Sequence, residues 1–366
     1  MLLQIRQFLR REAILCLAIF LACTSSLFQA PRLAYIDFDV LCVLLSLMLV
    51  VAGLKQVRFL DYVAVELLNR CVSRRQLTLA LVGITYVSSM FVTNDVALLT
   101  FVPLALVIGK TLQLDMERSI ILQTLAANLG SMLTPPGNPQ NLFLYAHYNY
   151  TAGRFFCVMA LPCLLSLAYI GVLIFRRPDA PLTLTLPSLP RPERRTTLVL
   201  LALLLVNIAA VLHVLPKLWA LGVTLAAVLL LNRRLLLAAD YSLLLTFSGF
   251  FIFIGNISHT SIAVYLQGSL LGTATGTYLA ALLSSQFISN VPAAMLLAGL
   301  TQEADALLLG VNIGGLGTMI ASMASVISYK LFVAEQPTLA GRYLRTFLYY
   351  NFAGLLLIGG LVYCII

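Results

Sequence analysis

The sequence predicts an all-α polytopic membrane protein of two inverted repeats, each with a re-entrant helical hairpin and a broken transmembrane helix. Three observations carry this. The 366 residues are 61% hydrophobic and only 10% charged, whereas a soluble chain carries roughly a quarter charged residues. Apolar runs near the ~20 residues that cross a bilayer recur along the whole length, and the mean hydropathy is +0.98. Two polar motifs also recur in the same order in both halves, each set between apolar runs.

In chain order, candidate membrane segments lie at 12–30, 38–54, 77–91, 95–109, 118–133, 141–150, 154–175, 197–214, 217–232, 241–257, 276–289, 291–300, 306–320, 322–334 and 344–366. The first is long enough to span and a second follows closely, which argues against a cleaved leader. Several others are too short to span alone, and these come in adjacent pairs. Residues 1–175 read as the first repeat, with a hairpin at 77–109 and a broken helix at 118–150. The proline-rich, charged stretch 176–195 reads as a cytoplasmic linker. Residues 196–366 read as the second repeat, with an extra helix at 197–214, a hairpin at 276–300 and a broken helix at 306–334. With each hairpin returning to its own side, that extra crossing turns the second repeat upside down.

Charge placement agrees. Arg6, Arg10, Arg11, Lys55, Arg58, Arg70, Arg74, Arg75, Lys110, Arg118, the linker arginines, Arg233, Arg234, Lys330, Arg342 and Arg345 fall on one side. Arg32, Arg154 and Lys217 fall on the other. The positive-inside rule then places the N-terminus in the cytoplasm and the C-terminus outside. The net charge of +9 sits in short connectors with no soluble domain to present it, so nucleic acid is not an expected partner. Seven cysteines at 16, 23, 42, 71, 157, 163 and 364 show no metal-ligand spacing and read as small apolar side chains. His147, His213 and His259 are isolated near segment ends and read as interfacial.

The recurring motifs hold the chemistry. Phe91-Val-Thr-Asn-Asp in the first half answers to Phe287-Ile-Ser-Asn-Val in the second, setting Thr93 and Asn94 beside Ser289 and Asn290. Further on, NLGSMLTPPGNPQN from Asn128 overlays NIGGLGTMIASMAS from Asn312 without a gap. The overlay matches Asn128 with Asn312, Gly130 with Gly314, Thr134 with Thr318, Asn138 with Ser322 and Asn141 with Ser325. Pro135, Pro136 and Pro139 remove backbone donors and stop a helix, while Gly137 permits a tight turn. Non-helical backbone is tolerated inside a bilayer only where protein or a watery cavity covers it. Transporters place such breaks at the midplane, where half-helix termini and unwound carbonyls hold ions. Asp95 is the single acidic residue well inside an embedded segment, a costly placement that marks a functional position. Sodium ligand, proton-coupling carboxylate and helix cap are all open to it.

At these residues the sequence resembles the ion transporter superfamily, which holds citrate-transporter-like, divalent anion–sodium symporter and arsenite or sodium–proton antiporter permeases. TNDVALLTFVPL, GSMLTPPGNPQNLF, SQFISNVPAAMLL and VNIGGLGTMIASMAS look most like its YbiR-type branch. The resemblance implies a homodimer in a bacterial inner membrane, with an elevator-like step and one substrate site per subunit. By position, Thr93, Asn94 and Asp95 would form one hairpin tip and Ser289, Asn290 and Val291 the other. Thr134, Gly137, Asn138 and Asn141 would line one unwound helix, and Thr318, Ser322 and Ser325 the second. Asn128, Asn312 and Gly314 join the expected site through the overlay, and Asn94, Asp95 and Asn290 are the expected ligands of a sodium ion. No cofactor beyond sodium or a proton is expected. The expected function is secondary transport of a small anion, a carboxylate or inorganic oxyanion, coupled to sodium or protons. Cation–proton antiport or arsenite-type efflux is the alternative. The dicarboxylate symporters resemble a Ser-Asn-Thr signature in both hairpins, and neither tip here has it. A P-loop, a hydrolase motif and paired intramembrane carboxylates are absent from the sequence, which speaks against ATP-driven transport and intramembrane catalysis. A passive channel suits paired hairpins less well than alternating access.

Overall fold

A computed structural model describes residues 12–366 apart from 177, 184–185 and 259. Arg6, Arg10, Arg11, His259 and part of the linker therefore lie outside the described residues. Among those described there are seventeen α-helices and no strand beyond an isolated bridge between Ser73 and Pro181. Seven helices among the described residues are long and apolar enough to cross a membrane. Leu230, Phe287 and Leu356 stand outward, a costly arrangement in water but the ordinary one against lipid.

The chain opens with α1 (Ala13–Ser26), α2 (Phe38–Gln56) and the short α3 (Phe59–Leu68). Asp61 and Glu66 interrupt the apolar run of α3, which is why hydropathy passes over it. α4 (Arg74–Val92) and α5 (Asn94–Leu112) meet at Thr93. α6 (Glu117–Ser131) then breaks and resumes as α7 (Pro139–His147), followed by α8 (Ala152–Phe175). Beyond the linker come α9 (Arg194–Val211), α10 (Lys217–Asn232), α11 (Tyr241–Ile257) and the eight-residue α12 (Ser261–Gly268). α13 (Ala274–Ile288) and α14 (Asn290–Ala298) meet at Ser289. α15 (Ala304–Ile313) breaks and resumes as α16 (Met323–Glu335), and α17 (Ala340–Tyr363) closes the chain. Side-chain caps start many of these helices. Asp37, Ser73, Asn138, Thr151, Asp240 and Thr273 each accept a hydrogen bond from the backbone N–H three residues on, satisfying donors a helix start would otherwise leave orphaned.

Some boundaries differ from the sequence reading. The apolar run 306–320 is not one helix: α15 ends at Ile313 and Gly317 adopts φ +101°. Hydropathy reads through this break because glycine, methionine and isoleucine fill it. The arms α4 and α5 have 19 residues each, longer than the 77–91 and 95–109 runs, because their polar ends are helical too.

Polar contacts fix the two ends of the bundle. Lys217 pairs with Asp39 at 3.2 Å, and Asn232 donates to Gln56 at 3.1 Å, so α2 and α10 run parallel. Arg342 bridges Asp115 and Glu117, close to Arg74, where α4 begins and α5 ends. α17 has 24 residues and so runs about 36 Å. Near its far end, Gly359 accepts from Tyr278, near the start of α13, at 2.9 Å. Thr277 and Thr301 join the start of α13 to the segment after α14 at 2.9 Å. The α4–α5 pair therefore opens toward the Arg342 end of α17, and the α13–α14 pair toward its opposite end.

Candidate functional site

The two helical pairs share an uncommon tip. Thr93 has φ 71°, ψ 151° and Ser289 has φ 75°, ψ 153°. This region is essentially reserved for glycine and costs a side-chain residue of order 1–3 kcal/mol. Two hydroxyl residues held in the same strained conformation are the backbone counterpart of the sequence match. Thr93→Gly and Ser289→Gly should each stabilise the fold by roughly 1 kcal/mol, read as a raised thermal midpoint in detergent. An unchanged or lowered midpoint would show that the tips are not strained.

The breaks match in the same register. Short 3-10 turns occupy Pro135–Gly137 and Met319–Ala321, and the following helices start at Pro139 and Met323. Both pairs of positions differ by 184, the offset of the sequence overlay. Each break is tied to a hairpin arm alike: Thr134 donates to the Met90 carbonyl, and Thr318 to the Gln286 carbonyl at 2.8 Å. A Cβ at Gly130 would lie 2.7 Å from the Ser89 hydroxyl, and one at Gly314 would lie 2.8 Å from the Ser285 hydroxyl. Only a residue without a side chain lets these helices approach so closely.

The halves then cross-link reciprocally. The Asn128 amide donates to Ser325 at 3.3 Å, and its oxygen accepts from Ser322 at 2.9 Å and from Asn94 at 3.2 Å. In the opposite sense, Asn312 donates to Asn141 at 2.6 Å and accepts from Asn138 at 3.2 Å. Since the overlay matches Asn128 with Asn312, Asn138 with Ser322 and Asn141 with Ser325, one contact is made twice with the roles exchanged. All six residues are buried, so these hydrogen bonds remove the desolvation cost each polar group would otherwise carry.

Much of the expected site is framework. Asn141 shares its amide donors among the carbonyls of Ser131, Met132 and Thr134 at 3.1–3.3 Å, gathering the acceptors freed where α6 stops. Gln286, which the motif reading passed over, does the same for the second break: it donates to Gly314 and Leu316 and accepts from Thr318 N–H. Gln123 ties both arms of the first pair to α6 through Thr85 and the Phe101 carbonyl. A glutamine in an apolar run was the available signal for both. Thr134, Thr318 and Gly137 likewise hold backbone.

What remains open is a cavity of about 770 Å³. α2 from Leu44 to Lys55, with Asn232 to Leu243, forms one wall. The tip at Thr93 and Asp95, with Pro136, Asn138, Met323 and Ile327, forms the other. The stretch from Leu44 to Lys55 covers about 16 Å of helix. Asp95 lies in the first turn of α5, and its shielded Oδ1 has no hydrogen-bond partner. It does not cap the helix: Asn94 Oδ1 accepts from the Asp95 N–H at 3.0 Å. Lys55, Arg234 and Asp240 line the same cavity. By sequence Lys55 and Arg234 read only as orientation markers, since they lie at segment ends. Asn290 is buried beside Gly315. Among the described residues no hydrogen bond joins it to Asn94 or Asp95, and no cluster of three acidic, histidine or cysteine groups forms a metal site.

A sequence model described as citrate transporter matches residues 1–327. The chain is 32% identical to an uncharacterized transporter of Methanocaldococcus jannaschii, over 90% of this chain and 86% of that protein. It is 31% identical to the inner membrane protein YbiR of Escherichia coli, over 81% of each. A shorter stretch, 31% of the chain, is 29% identical to 14% of the human P protein. The matched breaks and tips described above lie almost wholly inside the segment covered by the family model, and the chain belongs to the citrate transporter family.

Proposed function

We propose that this protein is a secondary active transporter that moves a small organic or inorganic anion across the bacterial inner membrane, coupled to sodium or protons. The observation that carries the reading is the reciprocal hydrogen bonding of Asn128 and Asn312 between two breaks that stand beside strained hairpin tips. It supports two repeats related by a local twofold. That the hairpins open toward opposite ends of α17 supports inverted repeats with re-entrant hairpins. The cavity separates α2 and α10–α11 from the hairpin and broken helices, a seam along which one body can slide as an elevator step requires. The subunit works as a homodimer with its N-terminus in the cytoplasm, as the family resemblance and positive-inside rule suggest.

Substrate enters from the Lys55 end. Lys55 and Arg234 are exposed at the rim, and basic groups at a low-dielectric mouth raise the local concentration of an anion. Asp95 stands deeper, where sodium or a proton compensates its charge. The second reading, cation–proton antiport or arsenite-type efflux, draws on Asp95 and Asp240 lining one cavity, a pair suited to a cation.

Uptake of labelled succinate, citrate and arsenite into proteoliposomes with imposed sodium or pH gradients tests the proposal. Saturable accumulation of an anion against its gradient is expected, and flux that only equilibrates would contradict it. Lys55→Gln should raise the KM for the anion roughly threefold to tenfold at low salt, with kcat little changed, and the effect should shrink as ionic strength rises. A lowered KM would mark the substrate as a cation.

A further inference from the structure

Away from the breaks, α8 and α17 enclose a groove of about 510 Å³ that opens outward. We propose that it binds an anionic phospholipid, headgroup and one acyl chain together. Arg118, Arg176, Tyr349 and Tyr350 line one end of the groove, and Val172 and Leu361 line its apolar length. Along α8 the lining runs from Leu165 to Arg176, and along α17 from Tyr349 to Leu361. These stretches cover about 16 and 18 Å of helix, close to the ~15 Å hydrocarbon depth of one leaflet. The groove thus has the reach of a single chain and a basic mouth where its phosphate would lie.

The charge at that mouth is not spent within the protein. Arg118 and Arg176 are exposed, and neither forms a salt bridge among the described residues. Glu117, the acid next to Arg118, is occupied by Arg342 and Thr346. Arg118 also sits in the first turn of α6, where the helix dipole disfavours a cation. A phosphate between Arg118 and Arg176 relieves that conflict. Tyr349 is 71% exposed beside them, the placement of an aromatic at the headgroup level. Tyr169 donates to the Tyr350 carbonyl at 2.6 Å and fixes the floor of the groove. A soluble anion would use the mouth but not the apolar length, and a zwitterionic lipid would bring its own cation against the two arginines and leave their net charge unbalanced.

The full chain is reconstituted in nanodiscs of phosphatidylcholine with a minor fraction of phosphatidylglycerol, released into mild detergent, and its retained lipid measured by native mass spectrometry. Each basic residue near an anionic lipid shifts binding roughly fivefold. Phosphatidylglycerol should therefore be enriched on the order of tenfold over bulk, allowing for screening. Arg118→Gln with Arg176→Gln should bring retention to the bulk ratio, while the paired lysine variant keeps most of the enrichment. Leu361→Trp, which fills the groove and leaves both arginines, should also release the lipid. Equal enrichment in the paired glutamine variant overturns the proposal. So does displacement by glycerol-1-phosphate as complete as that by phosphatidylglycerol, since the acyl groove would then contribute nothing.

Discussion

Asp95→Asn is expected to leave the protein folded and to remove the sodium or pH dependence of transport. The substitution keeps shape and volume while removing the one carboxylate at the hairpin tip. In the structure Oδ1 of Asp95 is shielded and unpartnered. A charge in such a place is uncompensated unless a cation, a proton or the positive end of a helix faces it. Asp95 lies in the first turn of α5, so the helix dipole compensates part of its charge, and in the proposed mechanism a coupling ion would compensate the rest. The neutral variant no longer needs that ion. Labelled anion uptake should then run at the same rate with and without a sodium or pH gradient, and accumulation should fall to equilibration. Thermal stability should hold or rise slightly, since a buried charge is gone. Coupling that survives intact would make Asp95 a helix-terminal group with no part in energy transduction.

Gly137→Ala should be a severely damaging change for the addition of one methyl group. A Cβ there would lie 2.1 Å from the Ser131 carbonyl oxygen and 2.8 Å from its carbon. Both are backbone atoms, so no side-chain rotation relieves the clash. The 3-10 turn Pro135–Gly137 would have to move away from the end of α6. Asn141, which bonds Ser131, Met132 and Thr134 together, and Asn138, which donates to Ser131 and Asn312, would be pulled out of register with it. The expected cost is roughly 3 kcal/mol, seen as a thermal midpoint lowered by several degrees, with transport largely abolished. Gly153→Ala, at a position where the added Cβ meets nothing within 4 Å, is the control. Equal behaviour of the two variants would mean that the break is not held as described.

Broken helices were legible in the sequence because the residues that break them are chemically conspicuous. Pro135, Pro136 and Pro139 cannot continue a helix, and two gap-free motif matches are hard to produce by chance. The register of the Asn128–Asn312 overlay, an offset of 184, recurs in the 3-10 turns and helix starts. The division of labour within the motifs was not legible. Thr134, Thr318 and Asn141 read as ligand groups, yet Asn141 donates to carbonyls that the first break leaves orphaned, and the two threonines donate to carbonyls near the ends of the hairpin arms. That demand depends on where each helix stops, which composition places only within a few residues. Gln286 stood out locally only as a glutamine in an apolar run; its importance comes from facing the second break, a tertiary fact. Lys55 and Arg234 were assigned to topology alone, since a basic residue at a segment end looks the same whether it faces headgroups or a cavity mouth.

Charge movement on a solid-supported membrane tests the coupled-anion assignment most directly. Purified wild-type protein is exposed to jumps of succinate, citrate or arsenite at fixed sodium and pH, and to jumps of sodium or protons alone. The expected result is a transient that requires an organic anion together with sodium or protons and that loses its cation dependence in Asp95→Asn. A full-sized transient from sodium or pH jumps alone, indifferent to every anion, would contradict it and make Asp95 the exchange site of a cation antiporter.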